Sequence, residues 1–235
     1  MIIGSGFIAK NFKKKKHLIK KYNLAIYASG ISNSQSKEKE FFLREKYMLL
    51  SYKKKIKSKV LVYFSTCSIY DQSRRNSLYV KHKSLMEQLI KNNFNKYIIV
   101  RFPEIIGFNS NKNNLINFLY QKIINNFRFS LWDNAKRNII DIDHAIKIFF
   151  YFVNKIRKVK KINLQINIAN TRFYRVQNIV KVIEKITLKK AIYTKIRTGD
   201  LYWSIKNTFN FKVFNDLNIR FDKNYLEKVL KKYYG

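Results

Sequence analysis

Hydrophobic and polar positions along the chain follow two patterns that alternate. Short runs rich in β-branched and aromatic residues recur between longer stretches in which apolar residues return every three or four positions. The first pattern predicts buried strands, and the second predicts amphipathic helices. Strands that alternate with helices along a chain form parallel sheets, so we expect an α/β protein.

The two patterns assign most of the chain to elements. The predicted strands are Met1–Ile3, Leu24–Ser29, Val60–Ser65, Tyr97–Phe102 and Ile162–Ile168. The predicted helices are Ile8–Lys21, Lys37–Lys57, Leu78–Asn92, Asn114–Asn125, Ile142–Lys155, Arg175–Lys185 and Lys223–Lys232. Beyond about residue 103 the alternation becomes irregular. We therefore expect a Rossmann-like cofactor-binding domain, residues 1–103 plus 162–170, and a small C-terminal substrate-binding lobe, residues 104–161 plus 171–235.

Composition narrows the class of protein. The 235 residues are 46% hydrophobic and 16% aromatic, with 6 Gly and 1 Pro, which excludes collagenous and disordered chains. Cys67 has no second cysteine to pair with, and no apolar run reaches the roughly 18 residues of a membrane span. The apolar N-terminus runs directly into lysines, which is not the order of a signal peptide. We expect a cytoplasmic protein with no membrane span and, since histidines and Cys67 lack ligand spacing, no metal site.

The net charge is large and positive. The chain has 49 Lys plus Arg against 14 Asp plus Glu, a formal charge of +35. Such a field attracts nucleic acid, acidic membrane surfaces and phosphorylated small molecules. The lysines are spread along the chain and occur with many Asn, Ile, Phe and Tyr, as in proteins from AT-rich genomes. We interpret the charge as mainly compositional and expect nucleic acid to bind only non-specifically, if at all.

A glycine-rich turn follows the first predicted strand. Gly4-Ser5-Gly6-Phe7-Ile8-Ala9 has the form G-x-G-x-x-A and opens the first predicted helix. In dinucleotide-binding proteins the glycines let the backbone approach a pyrophosphate, and the helix N-terminus supplies N–H groups. A tight turn without a ligand is the alternative interpretation. The second strand ends without the Asp or Glu that usually holds the adenosine ribose.

A Tyr-x-x-x-Lys pair follows the third predicted strand. Tyr79 and Lys83 share one face of a helix, where the ammonium favours the phenolate and lowers the pKa of Tyr79. A phenol tuned in this way exchanges a proton with a sugar hydroxyl or ketone. The same spacing occurs in Tyr151/Lys155 and Tyr202/Lys206. Only Tyr79 follows a strand that ends in a hydroxyl residue, Thr66, at the strand end where α/β active sites form.

Several segments together resemble one protein family. Phe-Ser-Thr-Cys-Ser-Ile-Tyr-Asp from Phe64, followed by Tyr-Val-Lys-His-Lys-Ser-Leu-Met-Glu from Tyr79, resembles the catalytic segment of extended short-chain dehydrogenase/reductases, the NAD-dependent epimerase/dehydratase family. Further segments resemble that family in its order: Gly4–Ala9, Ala28–Gly30, Arg101–Gly107, Arg137–Asp143 and Asn167–Asn170. The resemblance implies a Rossmann-like parallel sheet and action on nucleotide sugars.

The resemblance also implies roles for residues. Tyr79 would be the catalytic acid/base, Lys83 would lower its pKa and bind the nicotinamide ribose, and Thr66 would hydrogen-bond the reacting sugar oxygen. The implied cofactor is NAD or NADP, contacted by Gly4, Ser5, Gly6, Phe7, Ile8, Ala28, Ser29, Gly30, Lys83, Phe102 and Pro103. The implied substrate is a nucleotide-diphosphate sugar, contacted by Ser68, Glu104 and Arg137. A homodimer through the helices Lys37–Lys57 and Leu78–Asn92 is implied as well.

Two departures from the family shape the expected function. Ala28 follows the first strand by only about 20 residues, so two strands of the adenine-binding half are expected to be missing. Glu104 stands where the family has an Asn near the sugar diphosphate. We expect NAD(P)-dependent reduction or epimerisation of a nucleotide-linked sugar in surface polysaccharide biosynthesis. The alternative is a catalytically degenerate Rossmann protein that binds RNA, a protein partner, or a nucleotide sugar without turnover.

Overall fold

A five-stranded parallel sheet forms the centre of the computed structural model, which describes residues 1–109, 111–159 and 162–235. The strands are β1 (Ile2–Ile3), β2 (Leu24–Tyr27), β3 (Val60–Thr66), β4 (Tyr97–Phe102), β5 (Glu104–Ile106), β6 (Phe129–Trp132), β7 (Lys136–Asp141), β8 (Asn163–Asn167), β9 (Phe173–Arg175) and β10 (Tyr193–Ile196). The central sheet has the order β1-β2-β3-β4-β8, and every pair is parallel. The expected α/β class is confirmed.

Helices connect these strands. They are α1 (Phe7–Lys13), α2 (Lys16–Lys21), α3 (Lys39–Ser51), α4 (Lys53–Ile56), α5 (Leu78–Asn93), α6 (Leu115–Ile124), α7 (Ile142–Ile156), α8 (Val176–Thr187), α9 (Phe211–Asp216) and α10 (Tyr225–Tyr234), with a 3₁₀ turn at Cys67–Tyr70. No helix within the described residues is long and apolar enough to cross a membrane.

Helices cover both faces of the central sheet. Phe12 of α1 and Phe149 of α7 pack on one face, in the same apolar cluster as Val62 of β3. Leu49 of α3 and Ile90 of α5 pack on the other face. Strands covered on both faces bury every side chain, which explains the continuous apolar runs of β2 and β3.

The connections from β1 to β2 and from β2 to β3 have opposite handedness. Both connections lead to the next strand in the same direction across the sheet. However, α1 and α2 pack on one face of the sheet, whereas α3 packs on the other. Almost all parallel crossovers are right-handed. In the complete Rossmann order the first helix leads to a strand on the opposite side of β1. Here it leads to the inner side, and within the described residues nothing pairs with the outer edge of β1.

Two long predicted helices are each interrupted in the structure. The predicted helix Ile8–Lys21 is broken between α1 and α2, inside the lysine run 13–16, where like charges three and four positions apart repel each other. The predicted helix Lys37–Lys57 begins two residues later and is interrupted at Tyr52. The Ser51 hydroxyl donates to the Met48 carbonyl just before this break, which competes with the backbone ladder.

Strand bounds also differ from the prediction. β2 stops at Tyr27 rather than Ser29, because its partner β1 ends at Ile3. The C-terminal half contains short strands that were not predicted: β5, β7 and β9 form one small sheet, and β6 and β10 form another. Such strands are held by partners far away in sequence, so their own residues carry little signal. Lys160 and Lys161, at the expected lobe boundary, lie outside the described residues, as does Ser110.

Gly4 and Gly6 provide a test of what each glycine in the turn does. Gly4 has a φ of +115°, and a Cβ there would enter the Ala28 carbonyl, whereas a Cβ on Gly6 meets nothing within 4 Å. We expect Gly4→Ala to lower the free energy of unfolding by about 1–3 kcal/mol. Gly6→Ala, the matched control, should change it by less than about 1 kcal/mol. Urea denaturation measures both, and equal losses would contradict the distinction.

Candidate active site

A cleft of about 990 Å³ opens at the carboxyl ends of β2, β3 and β4. Parallel strands bring the residues that follow each strand to this same edge, the usual ligand position in open α/β sheets. The cleft is lined by the glycine-rich turn, by the loop after β2, by the start of α5 and by the segment that links β4 to β5. Segments far apart in sequence therefore meet at one site.

Most of the predicted site residues line this cleft. They are Gly6, Phe7, Ile8, Ala28, Gly30, Thr66, Ser68, Tyr79, Lys83, Phe102, Pro103, Glu104 and Arg137. Gly4, Ser5 and Ser29 are not among its lining residues. Tyr151 and Tyr202, which share the Tyr-x-x-x-Lys spacing, are not either. The topology thus selects Tyr79 from the three candidate tyrosines.

The glycine-rich turn has space for a phosphate group. The absence of a Cβ at Gly6 leaves the backbone open on the cleft side, since no atom lies within 4 Å of the position that a Cβ would take. Lys10, one turn along α1, also lines the cleft and supplies positive charge. These two features fit the pyrophosphate of a dinucleotide.

Thr66 and Tyr79 bring two hydroxyl groups to the cleft. The Thr66 hydroxyl accepts a hydrogen bond from the Ser68 backbone N–H at 3.0 Å, so its own proton remains available to a ligand. The Tyr79 hydroxyl has no hydrogen-bond partner within residues 1–109, 111–159 and 162–235. Both residues line the cleft, so each hydroxyl group can hydrogen-bond a ligand there.

The Lys83 ammonium is almost completely inside the protein. The residue is 2% exposed, although it is one of those that line the cleft. The ammonium donates to Glu45 Oε1 at 3.0 Å, to the Tyr63 hydroxyl at 3.1 Å and to the Phe64 carbonyl at 3.5 Å. Since an ammonium has three N–H donors, only the donor on the long Phe64 contact is weakly held.

Glu45 is the centre of this buried network. Its residue is 0% exposed, and the carboxylate accepts from the Tyr63 hydroxyl at 2.7 Å and from the Ile31 backbone N–H at 2.9 Å. His82 Nε2 lies 3.0 Å from the second carboxylate oxygen. Burial opposes ionisation of Glu45, but Lys83 and these hydrogen bonds hold its pKa well below the usual range.

The sequence predicted a lowered pKa for Tyr79, but in the structure the pKa is raised. Burial raises the pKa of Tyr79 above its ordinary value; Lys83 lowers it, as expected, but Glu45 raises it again. Burial of the hydroxyl is the main physical reason and the charge of Glu45 adds to it; the Tyr-x-x-x-Lys spacing reveals neither.

Charged groups of both signs form the opposite wall of the cleft. Burial raises the pKa of Glu104, and the guanidinium groups of Arg137 and Arg74 oppose this shift. Arg137 also lies 3.7 Å from the buried carboxylate of Asp71. The guanidinium groups of Arg74 and Arg137 on this wall can bind a diphosphate.

Glu45, Tyr63 and Arg74 are site residues that the sequence analysis missed. For Glu45 a signal existed. Phe42, Glu45 and Leu49 lie on one face of α3, the face that turns inward, and an acidic residue on an apolar stripe requires a buried partner. Arg74 lies in an irregular segment, where charge alone did not distinguish it from other basic residues.

Comparisons with known proteins agree with this geometry. The model of the "NAD dependent epimerase/dehydratase family" matches residues 7–169. No curated protein sequence matches the chain significantly.

Solved structures share the fold at low sequence identity. UDP-glucuronic acid 4-epimerase from Bacillus cereus, in complex with UDP-glucuronic acid and NAD, is 18% identical with a TM-score of 0.65, over 93% of this chain and 76% of that one. dTDP-glucose 4,6-dehydratase from Bacillus anthracis, in complex with NAD, is 16% identical with a TM-score of 0.65, over 97% and 76%. RMD from Pseudomonas aeruginosa, complexed with NADPH, is 11% identical with a TM-score of 0.67, over 98% and 95%.

The family model matches residues 7–169, which is more than half of the chain. The chain belongs to the NAD-dependent epimerase/dehydratase family.

Proposed function

We propose that this protein reduces or epimerises a nucleotide-linked sugar with NAD or NADP, in the synthesis of surface polysaccharides. The observation that carries the proposal is that Thr66, Tyr79 and Lys83 line one cleft together with the open turn at Gly6. Family members with this fold are crystallised with NAD or NADPH and with UDP-sugars. The arginines of the cleft wall suit the diphosphate of such a substrate.

The residues of this chain supply the proton chemistry. Tyr79 gives its proton to a sugar ketone oxygen during reduction, or takes one from a hydroxyl during oxidation. The Thr66 hydroxyl donates a hydrogen bond to the same oxygen and fixes its position. Lys83 stabilises the phenolate form of Tyr79 through its charge. A nicotinamide dinucleotide, when bound, supplies or accepts the hydride.

The proposed cofactor contacts involve the pyrophosphate and the nicotinamide half of the dinucleotide, rather than its adenosine half. Gly6, Phe7 and Ile8 suit the pyrophosphate, while Phe102 and Pro103 line the same cleft as Tyr79. The sheet ends at β1 in the described residues, and β2 ends without a carboxylate for the adenosine ribose. We therefore expect weaker dinucleotide binding than in proteins with the complete Rossmann order.

Binding of a nucleotide sugar without turnover is a second candidate function. It is favoured by one observation, the engagement of Lys83 by Glu45, Tyr63 and Phe64, which leaves the ammonium poorly available to a cofactor ribose. Thermal-shift titrations separate the two candidates, because a ligand raises stability only if it binds the native state. A shift with UDP-sugars but with neither dinucleotide would favour the second candidate.

Gly6→Val tests the cofactor site. The larger side chain would occupy the open space over the turn and block the pyrophosphate, so binding of NADH and NADPH should be lost. Isothermal titration calorimetry at millimolar ligand measures this loss, with Tyr202→Phe as an exposed control that should bind like the parent protein. Equal binding by Gly6→Val and the parent protein would contradict a site at this turn.

Tyr79→Phe tests the proton carrier. The substitution keeps the ring and removes the hydroxyl, so turnover of the sugar should fall by about 100-fold or more. Tyr151→Phe and Tyr202→Phe are matched controls because both tyrosines lie outside the cleft, and they should retain parental rates. Steady-state assays with circular dichroism as a folding check measure the effect. A comparable loss in all three variants would refute the assignment.

The exposed apolar residues of α3 and α5 support a homodimer. Tyr47 is 62% exposed and Leu85 is 63% exposed, and Phe41, Leu43 and Leu78 are also solvent-exposed on these helices. We expect sedimentation equilibrium at micromolar concentration to show a dimer that Leu85→Glu dissociates. Leu188→Glu changes an equally apolar, 91% exposed residue elsewhere and should leave the dimer intact. A monomeric parent protein would contradict this proposal.

A further inference from the structure

The carboxylate of Glu45 contacts three parts of the candidate site at once. It binds Lys83 from α5, Tyr63 from β3 and the backbone of Ile31, in the loop that follows β2. That loop carries Ala28 and Gly30, which both line the cleft. One buried side chain therefore links the ammonium below Tyr79 to the loop proposed to meet the cofactor.

Gly30 shows how closely the loop covers this ion pair. A Cβ at Gly30 would lie 2.7 Å from Lys83 Nζ and 2.8 Å from Glu45 Oε1. The pair is thus packed directly beneath the loop backbone, with no room for a side chain between them.

We propose that Glu45 is a positioning residue of this site, which holds the Lys83 ammonium against the interior of the protein and offsets its charge next to Tyr79. The proposal deepens the proposed function and rests on it for its catalytic meaning. With Glu45 in place, two of the three ammonium donors face Glu45 and Tyr63. Only the donor on the 3.5 Å Phe64 contact can turn to a ligand hydroxyl without breaking a short hydrogen bond.

Several other charged and titratable groups surround Glu45, Lys83 and Tyr79 and influence their titration. His82 and Lys83 face Glu45 from α5, Tyr63 faces it from β3, and the Tyr27 hydroxyl of β2 donates to its backbone carbonyl at 2.8 Å. Tyr79 is influenced by Lys83 and Glu45 and also by Arg74 and Glu104 across the cleft. Substitution of Glu45 alone leaves all these other groups unchanged.

Titration of Tyr79 in the protein without cofactor or substrate tests the proposal. Tyrosine labelled with ¹³C at Cζ is followed by NMR from neutral to alkaline pH, and Tyr79→Phe assigns the signal. In Glu45→Gln the Lys83 charge is no longer offset, so the midpoint for Tyr79 should fall by about one pH unit. Glu87→Gln is the matched control. Glu87 is also buried and ion-paired, but its partners are Arg101 and Ser65. The midpoint for Tyr79 in Glu87→Gln should therefore equal that of the parent protein.

A double variant keeps the test decisive if Glu45→Gln does not fold. Glu45→Gln/Lys83→Met removes both charges and leaves neither buried alone. If the charges of Glu45 and Lys83 cancel at Tyr79, the Tyr79 midpoint in this variant should be close to the parental one. If Lys83 acts on Tyr79 without being offset, its removal should raise the midpoint clearly.

An unchanged or higher midpoint in Glu45→Gln, or a raised midpoint in the double variant, would overturn the role of Glu45. Neither measurement needs turnover or dinucleotide binding. Failure of the proposed function would appear in calorimetry and assays and would leave these titrations interpretable. If turnover is measurable, the pH profile of kcat for Glu45→Gln should move to lower pH with that of Tyr79.

Discussion

The charge balance between Glu45 and Lys83 is the constraint on which the site depends. Neither group reaches solvent, and separation of such a pair by removal of one partner typically costs about 3–5 kcal/mol. The pair is held by α3 and α5 on one face of the sheet, by Tyr63 in the central strand β3 and by the backbone of Ile31. The floor of the cleft, the loop above it and the helix that carries Tyr79 are therefore fixed relative to one another by the same carboxylate.

The end of the sheet at β1 is the second constraint. Because α1 and α2 return the chain to the inner side of β1, the glycine-rich turn stands at the margin of the sheet rather than at a reversal of strand order. The turn keeps its open backbone at Gly6, but no described strand extends beyond it to carry adenosine contacts. Binding energy for a dinucleotide would then come mainly from the pyrophosphate and from the half that lies near Tyr79. This arrangement places more demand on Lys10, which lines the cleft beside the turn and whose charge attracts phosphates.

Much of this site was accessible from local sequence signals. Gly6 to Ile8, Thr66 and Tyr79 were predicted because each follows a recognisable apolar strand, and strand ends in a parallel sheet meet at one edge. The fold class followed from the same alternation of patterns. The breaks at the lysine run 13–16 and at Tyr52, and the short strands β5 to β7, were not predicted. The first break depends on repulsion between like charges, and the second on the hydrogen bond of the Ser51 hydroxyl. The short strands depend on partners that are distant in sequence.

The α/β class, the family motifs and many of the cleft residues could be predicted from the sequence, because hydrophobic periodicity and the order of elements along the chain are properties of the sequence. What Lys83 touches depends on the tertiary structure. The spacing of Tyr79 and Lys83 fixes their common helical face, but the ammonium is directed inward by Glu45, which lies in a different helix. The pKa of Tyr79 rises rather than falls, mainly because the residue is buried and further because of the charge of Glu45. Electrostatic effects depend on distance and burial, which a one-dimensional spacing does not contain.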